Sequence, residues 1–510
     1  MDQPRQKIDF YPFGSASFAD LLKLEEPAFS SDPFRQLNYV EQYLKCLGCR
    51  SVVIEQHYID RDHMEDHSVF YSRNFSVYEN WCRRMHFFSL DPQDLQKKMH
   101  ELLTSASKTG ESAFTLKSAT FSERYYLGFC VIKPLDGSPV GRTVLRCYDQ
   151  KADGFRREFR GARNYRPHFM GLELRVRGLA FQQQDTGVSA CATTALWSAI
   201  QKAQDLEDLA AATPAQITTI ASQYSLPFGR TMPSEGLSID QMCQAIRTLG
   251  LSPNLFKAEN FDIARGLLYS AVMSGMAPIL VLDTPDGKLS HAVTVIGAKL
   301  REQHTPELIS GILDEQASDL LGIYVHDDRY GPYLSTALQR VGKGTSQIEI
   351  KVDFGKQKRT EQWMLTHVII PMHSKIRLSF QGLRDVGTMV VKALAAQAQA
   401  TSQQTTDLSI CMDTRIVRAH SYIQGLILAG ATADEIEQFY SGVSLARYVG
   451  VVHLRLSADT SVDLLVDTTD TVRNLHCLAV VIRGKRSQHN EQVLRFLVSR
   501  YGGVPQFVEP

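Results

Sequence analysis

The chain has 510 residues, 44% hydrophobic and 22% charged, with Lys+Arg and Asp+Glu equal at 55 each. That length exceeds what a single hydrophobic core usually serves, so two or three domains are expected, and the composition is that of an ordinary globular protein, neither disordered nor fibrous. A balanced charge offers no general attraction to nucleic acid or anionic lipid, and the local group Arg156, Arg157, Arg160 and Arg163 reads as a solvated face.

The opening MDQPRQKIDFYPFG lacks the apolar run of a signal peptide. No later stretch has the roughly 18 apolar residues of a membrane span. A cytoplasmic location with no membrane partner is therefore expected. The nine cysteines are scattered through a long chain, which in a reducing compartment means buried thiols and at most one active one.

In chain order, FRQLNYVEQYLKCLG reads as a helix ended by Gly48, and SVVIEQHYI as a strand. EQHYIDRDHMEDHS, which carries His57, His63 and His67, reads as a solvated, charge-rich segment with no HExxH to hold a metal. FSVYENWCRRMHFF and DPQDLQKKMHELL read as helical or partly helical, and RYYLGFCVIKPL and GRTVLRCY as strands about a DGSP turn. Residues 1–150 are thus an α+β domain of undisclosed role.

Residues 151–382 carry more information. LELRVRGLAFQ alternates like a half-buried strand, and GVSACATTALWSAIQKA turns helical. Helices opened by Thr213-Pro214 and by Ser238 follow, then DIARGLLYSAVMSG. The strand candidates APILVLD, HAVTVIGAKL and LGIYVHD come last. Helices first and strands afterwards fit two segregated layers better than βαβ units. An Ala/Gln/Ser/Thr-rich stretch over 383–408 is an exposed helix or a linker, and 409–510 reads as a third α/β unit.

Cys191 stands at the start of a predicted helix, where free backbone N–H groups and the helix dipole favour a thiolate. His291 begins a nearly all-apolar strand, and a further strand ends in Asp327 and Asp328, where a carboxylate can orient the imidazole. Alternation along a strand lets only one of the two aspartates face His291. Asp327 is favoured. Asp328 is then assigned to a turn or an ion pair with Arg329, and His326 to packing on the opposite side.

QQQDTGVSACATTALWSAI, LSIDQMCQAIRTLG, SHAVTVIG and IYVHDDRYGPY together resemble the papain-like cysteine peptidase superfamily, in the form used by bacteriocin-processing (double-glycine leader) peptidases. The resemblance covers about 180–335. It implies an α+β fold with a helical layer on an antiparallel sheet, Cys191 as nucleophile, His291 as base and acid, and Asp327 as orienting residue. It makes Gln184 the side-chain donor of the oxyanion hole, beside the Cys191 backbone N–H. Gln184 stands seven residues before the cysteine where the family has five or six, which an extra residue in the DTGVSA turn accounts for; Gln182 stays open as the donor if the local backbone bulges.

A protein or peptide substrate is implied, without cofactor, metal or nucleic acid, and oligomeric state is left open. The same thioester chemistry would serve a transglutaminase-like acyltransferase, and a non-catalytic interaction module is the rival class. Cys46, Cys49, Cys82 and His86 lack the surroundings of a zinc knuckle, and no phosphate-binding glycine loop occurs. Trp197, Tyr330 and Tyr333 read as packing residues.

Overall fold

A computed structural model describes the chain apart from residues 1–6, 27–31, 33, 76, 107–110, 153, 186–189, 224–235, 310–312, 343–344, 355–356, 402–408, 471–475 and 509–510. Its centre is an antiparallel barrel. Strands Ser290–Arg301, Leu320–Asp327, Gly331–Val341, Thr345–Phe354 and Gln357–His373 pair in succession, and Ile279–Asp283 closes the ring by pairing with both Ser290–Arg301 and Gln357–His373. Closure removes the sheet edges at this point.

The strand Ser290–Arg301 explains its own composition. Val293 and Val295 join the core inside the barrel, whereas Ala292 and Ile296 join a different core on the outer face. A strand buried on both faces is apolar throughout rather than alternating. On the outer face lies the helix Cys191–Glu207, and Thr294 Oγ1 donates to Ala195 O at 2.7 Å to fix the crossing. Helices Pro214–Ser222 and Ile239–Thr248 complete this layer. Both open on capping boxes, Thr213 with Gln216 and Ser238 with Gln241, which satisfy orphan donors at their first turns.

The N-terminal region is a five-stranded antiparallel meander: Ile8–Pro12, Ser51–Tyr58, Cys82–Phe88, Tyr126–Ile132 and Val140–Leu145. The segment CRRMHFF, expected to be helical, is its middle strand. Its Met85, Phe87 and Phe88 are fully buried between two neighbours, so sheet pairing overrides the local reading. LELRVRGLAFQ is likewise not one strand but two short ones, Leu172–Glu173 and Val176–Gly178.

The C-terminal region is a seven-stranded sheet. Its first two strands, Leu308–Ile309 and Leu313–Glu315, come from the connection between two barrel strands, and Leu313–Glu315 pairs in parallel with Ile410–Arg418. Core packing also runs across the expected limits at 150, 382 and 409. Phe87, Tyr126 and Val144 share a cluster with Leu196 and Trp197, and Val325 and Trp363 share one with Met412 and Val452. Position 382 falls inside the helix Phe380–Thr401, which packs against the C-terminal strands Ile410–Arg418 and Tyr448–Arg455.

Two charged segments differ from their expected solvated state. Arg61–Val69 is a helix with Asp62, His63 and Asp66 buried, and His63 and His67 point ring nitrogens at the Glu79 and Tyr78 carbonyls. The guanidiniums of Arg160 and Arg163 are half-buried and donate to Met273 O and Gln201 O. Arginine stems cover apolar surface while their heads find carbonyls, so charge count alone misreads them. Among the described residues, no helix is long and apolar enough to cross a membrane.

The helix Arg35–Cys46 of the N-terminal region packs onto the turn that follows strand Leu320–Asp327. Gln36 Nε2 donates to the carbonyls of Asp328 and Arg329, both at 3.1 Å. Next to them, a Cβ on Gly331 would lie 2.1 Å from Tyr39 Cδ1, so only glycine admits this contact. Gly331→Ala is expected to cost about 1–3 kcal/mol of stability by overpacking. In a Tyr39→Ala background, denaturant unfolding should return most of that cost; equal costs in both backgrounds would show that the contact is not the constraint.

Candidate active site

Cys191 is the first residue of its helix, with Ala190 as an extended N-cap that makes no side-chain capping bond. The first turn of a helix leaves its N–H groups without intrahelical acceptors, and the dipole's positive end lies there. Ser198 anchors the helix further along by donating to Ala180 O, and Trp197 is wholly buried as core. Cys191 itself is half-buried, whereas seven of the other eight cysteines are buried and Cys46 is exposed.

His291 is the second residue of its strand and lies at the barrel mouth, with only 5% of its surface exposed. Its Nε2 stands 3.0 Å from Asp327 Oδ1, and its ring packs 5.7 Å from the Trp363 ring. With Nε2 engaged, Nδ1 is the nitrogen left for the hydrogen bond to the Cys191 side chain. Burial by itself would lower the pKa of this imidazole. The Asp327 charge and hydrogen bond, the bond to Cys191 and the Asp328 charge outweigh it and raise the value to about 10.

Asp327 is completely buried and held as a carboxylate. Burial opposes that charge, but His291 and Arg329 prevail and keep the group well below the usual carboxylate range. Arg329 reaches back with its backbone N–H to Oδ1 at 3.0 Å and with its guanidinium to Oδ2 at 3.1 Å. The guanidinium also meets Glu361 Oε2 at 3.2 Å and lies 4.8 Å over the Trp363 ring. Glu361 in turn accepts from Trp363 Nε1 and from the Tyr330 hydroxyl.

One expectation about this turn changes. Asp328 and Arg329 do form the turn, and Arg329 makes its ion pairs with Asp327 and Glu361. Asp328 Oδ1 also approaches His291 Nε2, at 3.7 Å, so both aspartates face the imidazole. The strand ends at Asp327, and the alternation of side chains that would separate the pair ends with it. His326, still inside the strand, faces the other way between Phe181 and Tyr333. Tyr330 and Tyr333 are each 1% exposed, and the Tyr333 hydroxyl donates to Leu145 O while accepting from Leu179 N–H.

The three glutamines before the cysteine differ sharply. Gln183 is spent on the Val140–Leu145 strand and its turn: its Oε1 accepts from Val140 N–H and its Nε2 donates to Gly137 O. Gln182 is buried and Gln184 is exposed. Residues 186–189, which join them to Cys191, lie outside the described residues.

Comparison with protein-family models and with curated proteins found no match for this chain. Glu361 and Trp363 were not singled out in the sequence, and Arg329 was named only as a partner for Asp328. Glu361 and Trp363 come from a barrel strand more than thirty residues away that carries no motif, so only barrel closure reveals them.

Asp328 supplies a test of this electrostatic balance. Desolvation and the neighbouring Asp327 charge raise its pKa from 3.8 to about 6, against the pull of His291 and Arg329. A carboxyl raised on folding weakens the native state once it ionises; the penalty is absent below the unfolded pKa of about 3.9 and complete above the folded one. Asp328→Asn should therefore stabilise the protein by about 1–3 kcal/mol near neutral pH, with the gain vanishing at acid pH. Thermal melts that show no gain at neutral pH would refute this.

Proposed function

We propose that this chain is a cysteine peptidase with a papain-like domain, which cleaves a peptide or isopeptide bond in a protein substrate. The observation that carries the reading is the line from the Cys191 thiol at a helix start, through His291, to the buried Asp327 carboxylate at 3.0 Å. An imidazolium in hydrogen-bond contact with a thiol is what makes a sulfur nucleophile available near neutral pH. A nucleophile helix laid on an antiparallel barrel that supplies the other two residues supports the same reading.

In the first half-reaction Cys191 Sγ attacks the substrate carbonyl carbon, and electrons move onto the carbonyl oxygen. The Cys191 N–H at the open helix end would stabilise that oxyanion, with Gln184 or Gln182 as side-chain donor. His291 protonates the departing amine as the thioester forms. In the second half-reaction His291 removes a proton from water, hydroxide attacks the thioester, and the thiol is restored. Asp327 keeps the ring oriented and compensates the imidazolium. No cofactor is needed for either step. A reducing cytoplasmic compartment suits a chain whose nine cysteines are all free.

Alkylation tests the pair directly. At about pH 6, iodoacetamide should modify Cys191 first among the nine cysteines, and His291→Ala should slow that reaction about tenfold or more. Iodoacetate, an anion drawn by the imidazolium, should react more slowly as His291 loses its proton near pH 10. In Asp327→Asn that alkaline fall should move toward neutrality, since the negative charge that does most to hold the proton on the imidazole is gone. Alkylation of residue 191 only under alkaline conditions, indifferent to His291, would instead favour a binding module.

A further inference from the structure

Far from the triad in sequence, a second group of side chains meets where the central region joins the C-terminal sheet. His304 lies on the connection after strand Ser290–Arg301, Asp314 on Leu313–Glu315, and Cys411 on Ile410–Arg418. Asp314 and Cys411 are register partners across a parallel strand pair. His304 Nε2 stands 2.5 Å from Asp314 Oδ2 and 3.6 Å from Cys411 Sγ, and the ligand atoms of all three residues lie within 4.8 Å of one another.

We propose that His304, Asp314 and Cys411 form a zinc site that fastens the central region to the C-terminal sheet. Imidazole, carboxylate and thiolate are the donors zinc takes, and tetrahedral zinc with nitrogen at about 2.0 Å and sulfur at about 2.3 Å sets them about 3.5 Å apart. The observed 3.6 Å matches that edge. The nitrogen–oxygen pair would open by about 1 Å to admit the ion. A water completes the tetrahedron.

The surroundings are those of a ligand set held in place. His304 Nδ1 meets Asp319 Oδ1 at 2.9 Å, the outer carboxylate that fixes the tautomer and turns Nε2 toward a metal. Asp314 Oδ1 accepts the Glu307 N–H at 3.0 Å, which leaves Oδ2 for the ion. Arg455 approaches Cys411 Sγ at 3.2 Å. Charge then balances: a divalent ion offsets the thiolate and Asp314, and Arg455 offsets Asp319. Asp314 and Asp319 are 1% and 2% exposed, and buried carboxylates need positive charge close by.

The same residues are poorly arranged for a second nucleophilic centre. Cys411 lies within a strand at no helix start, and burial pushes its thiol up to about 12. The imidazole nitrogen that faces it is already held by Asp314. Metal coordination deprotonates such a thiol outright.

The test uses the full chain carrying Cys191→Ala, which removes the thiol of the other site. Chelator-stripped protein should take up one equivalent of zinc with a rise in Tm, and cobalt(II) should give a sulfur-to-cobalt charge-transfer band. Cys411→Ser should abolish that band. Asp319→Asn should weaken zinc binding about tenfold or more while leaving the ligands intact. If Cys411→Ser fails to fold, X-ray absorption of the zinc-loaded Cys191→Ala chain decides: one sulfur per zinc supports the site, and none overturns it. Failure to bind zinc stoichiometrically, or a cobalt band that survives Cys411→Ser, also overturns it. Either result leaves the alkylation behaviour of Cys191 untouched, so the two proposals fail independently.

Discussion

The carboxylate of Asp327 is fully buried and charged, and a charge in that position persists only if opposite charge and hydrogen bonds surround it. His291 takes one oxygen and Arg329 clasps both. From this follow the placement of the imidazole, its retention of a proton and its reach to Cys191. Arg329 needs its own counterweight, which Glu361 and the Trp363 face provide from the last barrel strand. The proposed catalytic line is therefore the visible end of a chain of compensated charges that crosses the barrel mouth.

That chain extends beyond the barrel. The Asp328 and Arg329 carbonyls accept from Gln36, and Arg35 lies 5.4 Å over the Tyr330 ring, so the N-terminal region holds the turn that follows Asp327. Gly331 is the small residue that lets the helix come so close. The N-terminal sheet also shares its core with the helix that carries Cys191. A role for this region in building the site is thus physical: without it, both the Cys191 helix and the turn after Asp327 lose a packing partner. The C-terminal sheet borrows two strands from the central region and shares the barrel's core, which makes the three regions mutually dependent.

Local signals made much of the site legible. An apolar strand beginning with histidine, a strand ending in aspartate and a cysteine opening an alanine-rich helix are features of short segments, and the backbone geometry that makes them useful is local too. The helices opened by Thr213 and Ser238 were readable for the same reason, since a capping box depends on four consecutive residues. Where pairing partners decide, the local pattern misled. CRRMHFF became a strand because a neighbour on each side takes its backbone hydrogen bonds, and the charged Arg61–Val69 segment became a half-buried helix because Arg142 and the Glu79 and Tyr78 carbonyls meet its polar side chains.

The sequence by itself determined the candidate nucleophile, base and acid, because each stands at an element end marked by its immediate neighbours. Tertiary structure alone decided which groups surround them. Glu361 and Trp363 reach Arg329 only because Ile279–Asp283 closes the barrel, and Gln36 reaches the turn after Asp327 only because a helix some 290 residues earlier packs on Gly331. The convergence of His304, Asp314 and Cys411 likewise depends on a parallel strand pair formed across the helix Phe380–Thr401. Side-chain charge acts over a few ångströms in space, whereas sequence patterns report neighbours along the chain; only the fold converts one into the other.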